Sequence, residues 1–169
     1  MIEVLRANAP LPELAEKLQM FGQFVGSWDA RVINYNRDGT SLTVEAEWHF
    51  GWVLEGRAIQ DVWIAPKRDL RVAEENAPGD YGATIRFYDA KIDAWRSTWI
   101  GPVKGYVIAF IARQIGDEIV LEGKLESGTA VKWIFSEIKK ESFRWRSIES
   151  TDGWASQNKA QEMFCHRTS

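Results

Sequence analysis

Short segments in which apolar and polar residues alternate follow one another along most of this sequence, with turn residues between them. The clearest segment runs over about 42–54, where apolar side chains occupy every second position. This two-residue period is that of a β-strand with one buried face. Turn signals such as Gly116-Asp117 and Ser127-Gly128 leave little room for helices between neighbouring strands. The chain is therefore predicted to be all-β and antiparallel.

About ten such strands are predicted. A long up-and-down meander is best stabilised by closure into a barrel, because closure leaves no exposed strand edge. We therefore predict a closed antiparallel β-barrel formed by a single domain over residues 1–169. The approximate strand bounds are 27–36, 42–54, 57–65, 81–88, 95–101, 105–114, 118–125, 130–138, 142–150 and 155–167.

Residues 11–20 carry the one convincing helical pattern of the sequence. Leu11, Leu14 and Leu18 recur at spacings of three and four, and Pro12 suits a first helical turn. We expect this short N-terminal helix to cap one end of the barrel. The polar segment 66–80 is expected to be either a mobile loop near the barrel mouth or a solvated surface excursion.

Composition excludes several classes of protein. The formal net charge of −3 and the lack of a basic stripe argue against nucleic-acid binding. The first residues lack the basic start and apolar run of a signal peptide, and no apolar stretch is long enough to span a membrane. A single cysteine, Cys165, is compatible with a reducing compartment. The protein is therefore expected to be cytoplasmic, without a membrane partner.

The hairpin predicted between about 42 and 65 places charged residues among aromatic ones. With Glu55-Gly56 as a two-residue loop, the register follows by counting. The resulting pairs are Leu54–Arg57, Trp52–Ile59, Phe50–Asp61 and Trp48–Trp63. Residues that pair share a face of the sheet, so Arg57 and Asp61 are expected on the inner, aromatic wall.

Two further hairpins were paired in the same way. A Tyr88–Trp95 pair places Thr84, Arg86 and Tyr88 on one face with Trp95 and Trp99. With Asp152-Gly153 as the last loop, Trp145 pairs with Ala160 and Phe143 with Glu162. The second register predicts an inward-facing set of Asn158, Glu162, Phe164 and His166 and an outward-facing set of Arg144, Arg146, Lys159 and Gln161.

The predicted interior therefore mixes tryptophans, of which the chain has nine, with charged groups. Charges sealed among apolar residues are costly unless they are paired. One interpretation is internal ion pairing of Arg57 with Asp61 and of Arg86 with Glu162. The other is a ligand pocket in which an arginine receives a carboxylate. The candidate ligand-binding residues are Trp48, Trp52, Arg57, Asp61, Trp63, Arg86, Tyr88, Trp95, Trp99, Glu162 and His166.

Established catalytic signatures are absent from the sequence. It contains no P-loop, dinucleotide fingerprint, nucleophile elbow, zinc spacing or calcium loop. Cys165 and His166 are adjacent and on a strand would point to opposite faces. No metal site and no cofactor are predicted, and Glu162 with His166 is a less favoured candidate for a metal site or an acid–base pair.

The chain resembles the calycins, which include lipocalins and fatty-acid-binding proteins, and in particular a bacterial group of lipocalin-like domains. The resemblance is carried by the stretches 48–63, 86–89, 95–99 and 161–163. It implies a barrel with an internal ligand. Fatty-acid-binding proteins hold the ligand carboxylate through Arg-x-Tyr on the last strand, whereas here Arg86-Phe87-Tyr88 lies in the segment 81–88.

Nitrobindin-like haem barrels are a second resemblance, since they use a histidine near the C-terminus, a place that His166 fills. Their Gly-x-Trp-x-Gly-x-Gly signature is broken here, because Trp28 is followed by Asp29-Ala30-Arg31. Haem is therefore a minority hypothesis.

Three functional hypotheses follow. The leading one is a binding protein that holds a small, partly apolar ligand inside the barrel, with an anionic ligand as one variant. The second is an enzyme that acts on a small hydrophobic metabolite by acid–base chemistry through Asp61, Glu162 or His166. The third is a filled structural or interaction module that forms a homodimer through an outer face.

Overall fold

The alternating segments form ten strands in a computed structural model of the protein, which describes residues 1–70 and 79–168. The strands are β1 Gly26–Tyr35, β2 Ser41–Val53, β3 Ala58–Ala65, β4 Asp80–Asp89, β5 Ala94–Gly101, β6 Tyr106–Ile115, β7 Glu118–Lys124, β8 Ala130–Ser136, β9 Ser142–Ser150 and β10 Asn158–Arg167. The helical elements are α1 Ile2–Leu5, α2 Ala15–Gly22 and short 3-10 turns at Pro12–Leu14 and Arg68–Leu70. Within the described ranges, no helix is long and apolar enough to cross a membrane.

The strands pair antiparallel in chain order, and β1 pairs with β10 to close the sheet into a barrel. Every strand therefore has two partners, which removes the exposed edges of an open sheet. The predicted closed up-and-down barrel of about ten strands with a short N-terminal helix is confirmed. The centre of the predicted loop 66–80, residues 71–78, lies outside the described residues.

The helix α2 closes one end of the barrel, as the leucine pattern predicted. Leu18 and Phe21 are fully buried. The ring of Phe21 meets the ring of Trp95 edge-on at 5.0 Å and that of Phe135 at 5.8 Å. Phe24 follows the helix and packs on Phe143 with the ring centroids 4.8 Å apart. The helix is therefore a plug whose apolar face completes the core.

The exit of the chain from α2 into β1 is fixed by two close contacts. A side chain at Gly22 would meet the Trp52 ring at 2.8 Å, so the helix end needs a residue without a Cβ there. The indole N–H of Trp28 donates to the Phe24 carbonyl at 2.7 Å. Both contacts lock the plug to the inner wall of the barrel.

The β2–β3 hairpin has the predicted register but a different turn. Trp48 lies opposite Trp63 and Phe50 opposite Asp61. The turn, however, has three successive residues with positive φ, Leu54, Glu55 and Gly56. Strand β3 begins only at Ala58, so Arg57 belongs to the turn. The expectation that Arg57 faces inward is wrong, because the curled turn carries its side chain outside the alternation of the strands.

The β4–β5 hairpin confirms its predicted register. Tyr88 lies opposite Trp95, and Thr84 lies opposite Trp99. Arg86 shares their face and is fully buried, at 1% exposure. Alternation along the two strands predicts their inward-facing residues correctly, because the turn residues 90–93 do not disturb the register.

The β9–β10 hairpin departs from its predicted register. Trp145 lies opposite Met163, and the register shifts at a bulge between Lys159 and Gln161. The connection spans residues 151–157 and is organised by Asp152, whose carboxylate accepts hydrogen bonds from Ser150 and Ser156. The two-residue loop assumed at Asp152-Gly153 is therefore wrong.

This shift turns the predicted faces of β10 around. Met163 and Cys165 pair with Trp145 and Phe143 and are buried in the core. Gln161, predicted outside, lines a cavity of the interior. The residues predicted to face inward lie elsewhere: Asn158 and His166 are exposed, and Glu162 and Phe164 alternate with the core residues of β10.

On the outer face, Glu47 is covered by a basic partner from beyond β3. The Arg68 side chain donates to the Glu47 carboxylate through Nε at 2.7 Å and Nη2 at 2.8 Å. His49 Nε2 lies 2.9 Å from the same carboxylate. The hydrogen bonds from Arg68, more than that from His49, lower the pKa of Glu47 to about 2. Glu47 thus fastens the segment after β3 to β2.

Substituting Phe21 by Ala tests the role of α2 as a plug. We expect Phe21→Ala to lower the free energy of unfolding by about 3–5 kcal/mol, because it leaves a cavity in the closed end. The matched control is Phe87→Ala, whose ring is 45% exposed. Urea unfolding followed by circular dichroism measures both. Equal effects of the two substitutions would contradict the assignment of α2 to the core.

The Glu47–Arg68 contact makes stability depend on pH. The pKa of Glu47 is lower in the folded protein, so its contribution is complete above its ordinary value of 4.5 and is lost as the pH falls towards about 2. Since Arg68 is largely exposed, we expect Glu47→Gln to cost about 1–2 kcal/mol at pH 7. Unfolding measured between pH 7 and pH 2 should show the two proteins converge in acid. A difference that stays constant with pH would rule out this origin.

Candidate functional site

The interior of the barrel has two halves that differ in packing. The half next to α2, called here the closed half, is filled by aromatic rings: Phe24, Phe135 and Phe143 lie with centroids 4.8–5.6 Å apart. The half away from α2, called the open half, contains a cavity. The polar residues predicted for the site are distributed between these halves and the outer surface.

Asp61 and Arg86 form a buried ion pair in the closed half. Asp61 is fully buried, and its carboxylate accepts hydrogen bonds from Arg86 Nη2 and, at 2.9 Å, from Trp48 Nε1. The Arg86 guanidinium lies over the Phe21 ring at 4.6 Å and near the Phe50 ring at 5.6 Å. Its Nε and Nη1 have no hydrogen-bond partner in the described part of the chain. Aromatic faces therefore solvate the cation.

Burial works against both charges of this pair. It raises the pKa of Asp61, while the Arg86 guanidinium and the Trp48 hydrogen bond oppose that rise. Burial also lowers the pKa of Arg86, and Asp61 opposes it. Arginine nevertheless stays protonated in proteins, so Asp61 is its counter-ion. Asp61 thus neutralises the Arg86 cation, while Nε and Nη1 of Arg86 stay without a hydrogen-bond partner among the described residues.

The observed ion pairs differ from the predicted ones. Arg57 is exposed and pairs with Glu55. Arg86 pairs with Asp61 rather than with a residue of β10. The two pairings predicted for the interior, Arg57 with Asp61 and Arg86 with Glu162, are therefore wrong. Both errors have a local cause. The β2–β3 turn places Arg57 on the surface, and the register of β10 places Glu162 on the outer face.

Glu162 lies on the outer face, where it is buried beneath its partners. Arg144 and Lys159 pair with its carboxylate, the latter at 3.1 Å, and the Tyr35 hydroxyl donates to it at 2.9 Å. His166 is exposed opposite Asp29. Neither side chain reaches the interior, so His166 is not placed to ligate haem inside the barrel, and Glu162 and His166 are not placed to act there as an acid–base pair.

Cys165 has the opposite placement. It faces the core and is 1% exposed, and burial raises the pKa of its thiol. A protonated, inaccessible thiol is a poor nucleophile. Across residues 1–70 and 79–168, no group of three or more His, Cys, Asp or Glu side chains is arranged to hold a metal ion.

The predicted aromatic residues divide between the two halves. Trp52 and Trp95 pack against α2, and the Tyr88 hydroxyl donates to Asp93 at the rim of the closed end. Trp48 and Trp63 reach the cavity of the open half, as does Trp99. The ligand-binding role of these residues stays a prediction.

The cavity of the open half has an inner chamber and a mouth. The chamber has a volume of about 50 Å³ and the mouth about 470 Å³. The chamber is lined by Trp48, Trp63, Asp80, Thr84, Trp99, Tyr106, Trp133, Trp145, Gln161 and Met163. The residues that line both spaces are Asp80, Tyr106, Trp133, Trp145 and Gln161. A molecule in the mouth therefore meets the same side chains that enclose the chamber.

Tryptophan rings build the walls of this cavity. Trp133 contacts Trp145 at 5.3 Å and Trp99 at 5.8 Å, in both cases with the rings edge to face. Trp133 also lies 4.4 Å from Phe110. Rings that hold one another in this way form a rigid apolar surface.

Several buried polar atoms in these walls are unpaired. The indole N–H groups of Trp145 and Trp99 and the Oδ1 of Asp80 have no hydrogen-bond partner among the described residues. Trp145 is 3% and Trp99 5% exposed. Each buried group left without a partner costs about 1–3 kcal/mol, so a group from outside the chain would gain by binding here.

The two oxygens of the Asp80 carboxylate differ in their contacts. Lys104 Nζ lies 3.3 Å from Oδ2, whereas the buried Oδ1 has no partner among the described residues. Burial, followed by the nearby Asp80 carboxylate, raises the pKa of Tyr106. The Tyr106 phenol is therefore a neutral neighbour of the carboxylate.

The five residues that line both the chamber and the mouth were not among the candidate ligand-binding residues: Asp80, Tyr106, Trp133, Trp145 and Gln161. The alternation of segments 130–138 and 142–150 held a usable signal for two of them, since Trp133 and Trp145 fall on the core-facing positions. The other three lie near strand ends or at a bulge, where alternation does not predict whether a side chain faces the inside or the outside of the barrel.

The fold is a closed, ten-stranded antiparallel up-and-down barrel. No protein-family model matches the sequence, and no curated protein matches it significantly. The S-type phycobiliprotein lyase CPES from Guillardia theta has a similar structure, with a TM-score of 0.58 and 14% identity over 89% of this chain and 92% of that one. Rv2717c from M. tuberculosis is also similar, with a TM-score of 0.61 and 12% identity over 95% and 99% of the two chains. At these identities the likeness concerns the fold.

The buried ion pair predicts a non-additive effect on stability. Asp61→Asn leaves Arg86 without its counter-ion, and we expect it to lower the free energy of unfolding by about 3–5 kcal/mol. The double substitution Asp61→Leu with Arg86→Met removes both charges and should cost less than the single one. Guanidinium unfolding measures each variant. Glu55→Gln, which removes the partner of exposed Arg57, is the control and should change stability by less than about 0.5 kcal/mol.

Proposed function

We propose that the protein binds a small, partly apolar molecule in the mouth and chamber of the open half. The observation that carries this proposal is the unpaired, buried N–H of Trp145 in a cavity that is continuous with a wide mouth. The unpaired N–H groups of Arg86 lie beside the rings of Phe21 and Phe50, whereas the Trp145 side chain lines a cavity. A ligand acceptor, or water before the ligand binds, would satisfy it.

The dimensions and the lining fit a small molecule. The mouth, at about 470 Å³, lies within the range of roughly 300–1,000 Å³ of small-ligand sites. Its walls combine large aromatic faces with a few polar groups, among them Gln161 and Asn34, which hydrogen-bond each other at 2.7 Å. Apolar walls supply affinity, and sparse polar groups orient the ligand.

The charges around the mouth favour a neutral ligand over an anionic one. Among the described residues, the charged ones that line it are Asp80, Glu126 and Glu149 and one lysine, Lys104. The arginines first considered for an anion serve elsewhere, since Arg57 is on the surface and Arg86 is neutralised by Asp61. The ligand is therefore proposed to be uncharged where it enters the cavity.

The fold is compatible with this proposal. One protein of similar architecture is named a phycobiliprotein lyase. At 14% identity this carries neither its substrate nor its activity to the present chain. The binding proposal rests on the cavity.

Binding of a neutral hydrophobic probe tests the proposal. We expect N-phenyl-1-naphthylamine to bind the protein, gain fluorescence and quench tryptophan emission. Ala160→Trp, which places an indole in the mouth, should weaken this binding at least tenfold by occupying the space. Ala109→Trp adds the same bulk at an exposed position of β6 and should leave the affinity within twofold. An unchanged affinity in Ala160→Trp, or no binding to the native protein, would refute the proposed site.

A further inference from the structure

The chamber presents one buried donor and one buried acceptor that the described residues leave unused. The donor is the Trp145 N–H, and the acceptor is Asp80 Oδ1. Both residues line the chamber of the open half. The Trp99 N–H is a second donor in the same lining. A ligand that satisfies this set must itself carry an acceptor and a donor.

The size of the chamber limits which part of a ligand enters it. A volume of about 50 Å³ holds roughly three water molecules, which is the space of one polar group and its neighbouring ring atoms. The mouth is much larger, at about 470 Å³, and has aromatic walls. The edge of a flat ring system would therefore enter the chamber while its body stacks in the mouth.

The lining also distinguishes between polar groups. A carboxylate brings two acceptors and a negative charge next to Asp80, whose oxygen needs a donor. An apolar ring edge leaves both the Trp145 N–H and the Asp80 oxygen unpaired. A ring amide has its carbonyl and its N–H on the same edge, because the ring holds the amide in the cis arrangement. This group alone among the three satisfies donor and acceptor together and remains neutral.

We propose that the chamber recognises planar cyclic amides, that is, lactams within flat ring systems. The ring carbonyl accepts a hydrogen bond from Trp145 Nε1, and the adjacent ring N–H donates to Asp80 Oδ1. Lys104 Nζ lies 3.3 Å from the other oxygen of Asp80. This inference rests on the proposed function, since it specifies the ligand class of the same cavity.

A matched ligand series on the native protein is the first test. 2-Quinolinone carries both groups, 1-methyl-2-quinolinone lacks the donor, and 2-naphthoate is an anion of similar shape. Calorimetric titration should show 2-quinolinone binding at least tenfold more tightly than either of the others. Equal affinities for the two quinolinones would overturn the lactam inference. The binding proposal would then still stand, provided that Ala160→Trp blocks the naphthylamine probe.

Two substitutions assign the hydrogen bonds to their partners. Asp80→Ala should reduce the preference of 2-quinolinone over its N-methyl analogue from at least tenfold to less than twofold. Trp145→Phe removes the other hydrogen bond and should weaken both quinolinones about equally, with the preference between them retained. Trp133→Phe is the matched aromatic control and should weaken all three ligands alike through lost stacking.

The outcomes separate the two proposals. A preference for 2-quinolinone that survives Asp80→Ala overturns the lactam inference, because the N–H would then have another acceptor. Failure of every probe to bind the native protein overturns the proposed function itself. If Asp80→Ala does not fold, as judged by circular dichroism, the ligand series on the native protein decides the question.

Discussion

The bond between Asp61 and Arg86 is the interaction on which the interior depends. It joins β3 to β4 from inside the barrel, and the Arg86 guanidinium lies over the ring of Phe21, a fully buried residue in the last turn of α2. A buried ion pair is stable in only one geometry, because each charge is stabilised only by its partner and by the aromatic rings around it. On the α2 side of this pair the barrel is filled. On the other side the tryptophans are left to enclose a space.

The architecture could be predicted from the sequence because it depends on period and turns. Alternation over 42–54 and the spacing of the turn residues were enough for ten strands and a closed barrel. The pairing of Trp48 with Trp63 and of Tyr88 with Trp95 followed from counting outward from the hairpin loops. Such counting holds while strands remain regular, since each residue then determines the side of the next.

The site could be predicted only in part, and its errors have physical causes. Arg57 was misplaced because three residues with positive φ curl the turn before it. The residues of β10 were misplaced because Asp152 builds a longer loop and a bulge follows it, and an odd shift exchanges the two faces of a strand. The alternation of apolar and polar residues reveals neither the curled β2–β3 turn nor the loop and bulge at the start of β10. The excess of tryptophan is visible in the sequence. Which tryptophans fill the closed half and which line the cavity of the open half depends on where the helix ends.

The placement of Cys165 has a consequence for the dynamics of the fold. Its thiol lies on the inner face of β10, the strand that joins the end of the meander to β1. A reagent in solution meets this single sulfur only when that seam separates, because the closed barrel leaves it 1% exposed. The rate at which the Cys165 thiol is modified therefore reports how often the barrel opens at β10, which a signal averaged over the whole protein would not show. Cys165 is thus a built-in probe of local opening of the barrel.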